Sequence, residues 1–239
     1  MKSDWTITYN DFNTNDHPLQ EALCTLGNGY FTTRGALEME KNQHPKNIDG
    51  KNKVSPGKYW NYPGTYLAGG YNRMQSKVQD KIIENEDLVN WPNWLYLTFR
   101  IEDDNWFDID ATEIISYETH LHLKEAILER KLSFRDKKGR VSELKSRRLV
   151  SMSNPHAAAI QWELIPLNWS GKITLRSGID GNIINNNVER YSALNQNHID
   201  IIDTGHFNDS SIYMLSQSKQ SKILTAQAAK TTIFLKGKR

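Results

Sequence analysis

The sequence predicts an all-β fold, an antiparallel two-sheet sandwich with one short helix. Three observations predict it. Windows with apolar residues at the spacing of an amphipathic helix are scarce. Short stretches of alternating polarity recur at intervals of about 8–12 residues. Pairs built from glycine, asparagine and aspartate fall between them, where a chain reverses most easily.

In chain order, WTITY sets Trp5, Ile7 and Tyr9 on one side and Thr6 and Thr8 on the other, the pattern of a half-buried strand. HPLQEALCTLG then predicts the helix. Asp16 can accept from the free N–H groups of its first turn, Pro18 suits its start, and Gly27 can take the left-handed cap at its end. Asn28-Gly29 predicts a tight turn with positive φ at both positions, and YFTTRGAL reads as strand. Glu40–Gly64 holds three prolines and three glycines in a polar setting and predicts a long surface excursion. WLYLTFRI, EDDN and WFDID read as strand, turn, strand. His120–Glu129 reads as strand, because Leu121 and Leu123 alternate and the run continues into RKLSF. LSFRDKKGRVSEL is a hairpin about a Lys-Gly turn. AAAIQWELIPL alternates Ile160, Trp162 and Leu164 against Gln161 and Glu163. KITLRSGIDGNII adds a turn at Asp180-Gly181, and HIDIID, SIYMLSQ and KTTIFL carry strands to the end.

The 239 residues suit one large domain or two small ones, long enough to bury about 70% of the unfolded surface. With 30 basic and 28 acidic residues the net charge is +2, which gives no reason to expect nucleic acid or an anionic membrane as partner. RDKKGR (Arg135–Arg140) and KSRR (Lys145–Arg148) read as solvated strand ends and turns. Cys24 is the only cysteine, so no internal disulfide forms and a reducing compartment is favoured. MKSDWTITYNDF lacks an apolar signal core, and no run approaches the ~20 apolar residues of a membrane span. The expected location is the cytoplasm, and the sequons NWS and NDS read as accidental.

Three stretches concentrate glycine, aromatic rings and cations: EALCTLGNGYFTTRG, YPGTYLAGGYNR and LVNWPNWLYL. A phosphate-binding loop needs a strand, glycines and Lys-Ser/Thr opening a helix, and none of the three supplies that order. Aromatic faces beside hydrogen-bonding groups suit sugars instead, whose rings have apolar C–H faces and polar edges. The same rings could equally fill a core or an interface.

These stretches, with IPLNWSGKITLRSGIDGNIIN, resemble in order and separation the N-terminal region of family 65 glycoside hydrolases, which include maltose, trehalose and kojibiose phosphorylases. The resemblance spans about Trp5 to Asn185, with Trp91-Pro92 where many relatives carry Leu-Pro. It implies a galactose mutarotase-like super-sandwich over residues 1–239, a single N-terminal domain of a longer enzyme. The (α/α)6 catalytic barrel would be absent from this chain. It implies an inverting parent enzyme acting on α-linked gluco-disaccharides, with inorganic phosphate as co-substrate where it is a phosphorylase and no cofactor. The fragment alone would be inactive, with no catalytic residue and no metal of its own. Its partners would be the barrel of the same polypeptide, the disaccharide and a second copy in a homodimer. Asn28, Tyr30, Arg34, Tyr66, Tyr71, Arg73, Trp91 and Trp94 would line the sugar cleft or the barrel interface.

Two alternatives stay open. One is a stand-alone carbohydrate-binding module. The other is an aldose mutarotase, which needs an acid and a base converging on the sugar. His120 and His122 lie on one face of a strand, so two metal ligands are geometrically possible, with no third assignable.

Overall fold

The computed structural model describes residues 5–39, 61–185 and 194–235. In chain order the elements are β1 (Thr6–Tyr9), α1 (His17–Leu23), β2 (Leu26–Gly27), β3 (Phe31–Thr33), β4 (Thr65–Leu67), β5 (Tyr71–Val78), β6 (Lys81–Leu88) and β7 (Leu97–Ile101). A 3-10 turn at Ile109–Ala111 precedes β8 (Glu113–His122), β9 (Ile127–Arg135), β10 (Val141–Val150) and β11 (Ala158–Pro166). Four more strands follow: β12 (Ile173–Ser177), β13 (Ile199–Asn208), β14 (Ser211–Ser218) and β15 (Leu224–Lys230). The fold is therefore mainly β and its strand pairs are antiparallel, as the alternation predicts. The chain divides into two compact units.

Among the described residues the first unit takes 5–39, 61–63 and Thr98–Leu175. Its frame is a five-stranded sheet in the order β1-β8-β9-β10-β11. One parity of β9 and β10 turns inward, so Leu132, Phe134 and Leu144 pack with Leu37, Phe99, Ile101, Ile109 and Tyr117. Phe107 stacks on Phe99 with ring centres 4.9 Å apart. The other parity is polar: the register sets Glu118, Lys131, Lys145 and Glu163 in one cross-strand row.

Among the described residues the second unit takes Gly64–Leu97, 176–185 and 194–235. It contains the β5–β6 hairpin, closed by the two-residue loop Gln79-Asp80 with Gln79 at φ 55°. It also contains a meander in the order β13-β14-β15. Val89, Trp91, Ile183 and Ile199 form its apolar centre.

Several local expectations are corrected. The helix ends at Leu23 with Cys24 as its cap, and Gly27 lies in β2, paired with Thr32. Asp16 occupies the N-cap without a side-chain capping bond; its carboxylate accepts from Asn13 instead. WFDID is not a strand, because Asp108 accepts from the Asp110 N–H at 3.0 Å and caps the 3-10 turn. Asp180 forms a bridge to Asn93. The last strand is LTAQAAK rather than KTTIFL: pairing with β14 overrides the weak strand preference of alanine. The excursion expected over Glu40–Gly64 falls mostly outside the described residues, yet its final residues, Asn61–Gly64, are buried. KSRR is not wholly solvated, since Arg148 is only 1% exposed.

Candidate functional site

In the first unit Asn28 organises a turn through its side chain. Oδ1 accepts from the N–H groups of Tyr30 at 3.0 Å and Phe31 at 3.1 Å. Nδ2 donates to the carbonyls of Ser151 at 2.7 Å and Pro155 at 3.1 Å. Only Gly29 takes positive φ, at 85°, so the turn needs glycine there but not a left-handed Asn28. With these four bonds Asn28 acts as a strut between the β2–β3 and β10–β11 turns. Tyr30 is what the turn presents: it is 42% exposed and meets the His156 ring edge-on at 4.3 Å.

Arg34 turns the other way. Its Nε donates to Glu21 at 2.5 Å, and its guanidinium lies 5.7 Å from the Tyr62 ring centre. The second Glu21 oxygen accepts from Tyr62 N–H at 2.7 Å. Helix α1 is thus inverted in polarity, with His17 and Glu21 buried and Leu19 and Leu23 exposed. Burial pushes the Glu21 carboxyl above its usual range against the pull of Arg34 and Tyr62.

Beside this pair lies a second ionic cluster. Arg148 donates to the carbonyls of Arg34 at 2.9 Å and Ala36 at 2.6 Å and to the Glu38 carboxylate. Arg130 donates to Gly35 O, to Ala36 O at 3.3 Å and to Glu38 at 3.2 Å. Burial alone would raise the Glu38 carboxyl, but Arg148 and Arg130 outweigh it and hold it below the usual range. Sequence reading missed this cluster. A signal was present: Arg130 shares the parity of Leu128 and Leu132, and Arg148 that of Leu144 and Val150, once β10 is seen to run through KSRR.

In the second unit Tyr71 and Arg73 alternate onto the outer face of β5, with Asn72 buried between them. Arg73 donates to Glu86 at 2.6 Å, which raises its already high pKa. Tyr66 and Trp94 are half-buried, and Trp91 is fully buried in the apolar centre. As folded, Trp91 supports the unit and offers no face to a sugar. Of the eight predicted residues, Asn28 joins Tyr30 and Tyr71 joins Arg73; Arg34 belongs to the ionic cluster.

Both buried carboxylates are engaged by guanidinium groups. His198 is buried against Asn72 at 3.1 Å and Asp87 at 3.3 Å, and burial outweighs Asp87 to lower its pKa. His120 and His122 stack at 6.1 Å, each beside its own carboxylate, Glu118 at 3.3 Å and Glu129 at 3.6 Å. Among the described residues no three acidic, histidine or cysteine side chains cluster as metal ligands, and no helix is long and apolar enough to cross a membrane.

Known proteins resemble this chain along almost its full length. An uncharacterized glycosyl hydrolase of Mycobacterium tuberculosis is 37% identical over 98% of this chain and 16% of its own length. A kojibiose phosphorylase of Halothermothrix orenii is 27% identical over 95% of this chain and 25% of its own. An alpha,alpha-trehalose phosphorylase of Thermoanaerobacter brockii is 33% identical over 77% of this chain and 22% of its own. The chain thus spans a quarter or less of these relatives. A solved structure described as a candidate kojibiose phosphorylase from the human microbiome superposes with a TM-score of 0.75 at 17% identity, covering 98% of this chain and 28% of that one, and shares the fold. The sequence profile of the glycosyl hydrolase family 65 N-terminal domain matches residues 7–239, and the chain belongs to that family.

Proposed function

We propose that this chain is the non-catalytic N-terminal domain of an inverting family 65 enzyme that cleaves α-linked gluco-disaccharides. The attacking partner is inorganic phosphate if the parent is a phosphorylase and water if it is a hydrolase. The domain packs on a catalytic barrel of the same polypeptide, helps wall the sugar cleft and supports a homodimer. Tyr30 and the Tyr71–Arg73 pair are its presented groups, suited to stacking and hydrogen bonding. The observation that carries the reading is the state of the two buried carboxylates, Glu21 and Glu38. Each is held by arginine, so neither is available as the acid that an inverting cleavage needs. Family membership and the phosphorylase names among the relatives support the substrate class.

The test incubates the purified 239-residue chain with phosphate and kojibiose, trehalose or maltose. No glucose 1-phosphate is expected. Its sustained release by a preparation free of other enzymes overturns the non-catalytic assignment.

A further inference from the structure

The outward face of the β13–β14–β15 sheet carries an apolar strip, flanked by Asp200 and Gln217 at one end and Ser211 and Lys230 at the other, that is exposed among the described residues. The register sets Asp203, Leu215 and Ala226 in one row and Gly205, Tyr213 and Ala228 in the next. Along β15, Leu224, Ala226 and Ala228 are exposed while Thr225, Gln227 and Ala229 turn inward. Leu224 is 59% exposed and Phe207 68%. The aromatic end is fixed in place. The Tyr213 ring lies across Gly205, where a Cβ would meet ring atoms at 2.7–2.9 Å, and its hydroxyl donates to Asp203 at 2.9 Å. Phe207 leans on that ring at 5.0 Å, turned outward at a register shift between His206 and Asn208. The opposite face is already occupied within the unit: Ser216 is buried, and Gln227 donates to Pro92 O at 3.0 Å. A sheet with apolar groups on both faces needs a layer on each.

We propose that this face docks the polypeptide that continues past Arg239 in the complete gene product. The inference rests on reading the chain as the N-terminal domain of a longer enzyme. Two observations choose this occupant. The region matched is the N-terminal domain of relatives of which it makes up 16% to 25%, so most of their polypeptide lies outside it. β15 is the last strand and the margin of this same sheet, and the exposed Ile233, Phe234 and Leu235 follow it. A continuing chain is tethered to this sheet through β15 and meets it at high effective concentration. The alanines of β15 let a second layer approach closely, and Phe207, Tyr213 and Leu224 anchor it.

The test introduces Ala226→Cys on this face and, separately, Lys131→Cys on the polar face of the five-stranded sheet, with the buried Cys24 left in place. Maleimide labelling is timed in the 239-residue chain and in the complete gene product, each over a concentration series. The Ala226→Cys variant is expected to label about tenfold more slowly in the complete product, with the Lys131→Cys variant unchanged. Equal Ala226→Cys rates overturn the inference, as does a gene product that ends at Arg239. Protection that appears in the 239-residue chain and grows with concentration assigns the face to a second copy and also overturns it. Phosphorolysis by the complete product separates the two readings. An active product with Ala226→Cys still fast rejects docking alone. A protected site in a product inactive on α-glucosides rejects the substrate class and keeps docking.

Discussion

Glu38 and the two arginines that hold it are where single side chains matter most. A buried ion with its partner removed costs far more than the pair contributes. Arg148→Met leaves the Glu38 carboxylate with Arg130 as its remaining ion-pair partner, frees the carbonyl of Arg34 and leaves that of Ala36 with Arg130 alone. It should destabilise the protein by about 3–5 kcal/mol. Adding Glu38→Leu should recover part of that loss, read as the shift in urea midpoint between single and double variants. An additive double variant would show that the ionic contact is not what holds the site. At this scale the sequence was partly legible. Alternation set Trp162 and Leu164 on the side that packs on the core, but a rule that puts charge outside missed Arg130 and Arg148. Their cost is offset by partners distant in the chain, and no local window contains those partners.

At the scale of elements, strands were legible where alternation was strong, as in β1, β11 and the β9–β10 hairpin, but His120–Glu129, read as one strand, is the end of β8, a turn at Leu123–Ala126 with Ala126 at φ 53°, and the start of β9. Elements decided by a side chain bonding its own backbone were less legible. Asp108 turns WFDID into a 3-10 turn; the turn at Asn28-Gly29 is where the sequence puts it, but Asn28 makes it through its amide rather than through a positive φ. The candidate site was legible to a similar degree. Of the residues expected at a sugar cleft or barrel interface, Tyr30, Tyr71 and Arg73 are exposed, whereas Trp91 is core. The strut role of Asn28 gives a test. Asn28→Ala removes acceptors for two N–H groups and donors to two carbonyls, at about 1–2 kcal/mol. Hydrogen exchange should quicken at Tyr30 and Phe31 and also across Ser151–Ala157, far away in sequence. Faster exchange confined to the first pair would mean the two turns are independent.

For the molecule as a whole, buried ionisable groups make stability depend on acidity. Burial and then the charge of Arg130 lower His17 to about 4 from an ordinary 6.5, against an opposing bond to Asn61. Between those values the unfolded chain holds a proton that the folded chain refuses, so stability falls as pH falls through the window. The loss approaches about 3 kcal/mol at its lower end. Glu38 acts in the same sense at lower pH: its depressed carboxyl stabilises above the ordinary carboxylate pKa of 4.5, and that contribution fades as pH drops below it. Glu21 works in the opposite sense, because burial raises its carboxyl and acidification through that range stabilises the fold. The His17 contribution is therefore read as a difference: the urea midpoint of wild type relative to His17→Gln should fall as pH drops from about 6.5 to 4, and a constant difference would contradict the buried neutral imidazole.

The Glu38 cluster also constrains how the family can diverge. Its three members lie on separate stretches of chain and are worth keeping only together, so each single replacement passes through a poorly folded intermediate. Descendants should retain all three or exchange them jointly, and aligned sequences should show these columns changing in concert.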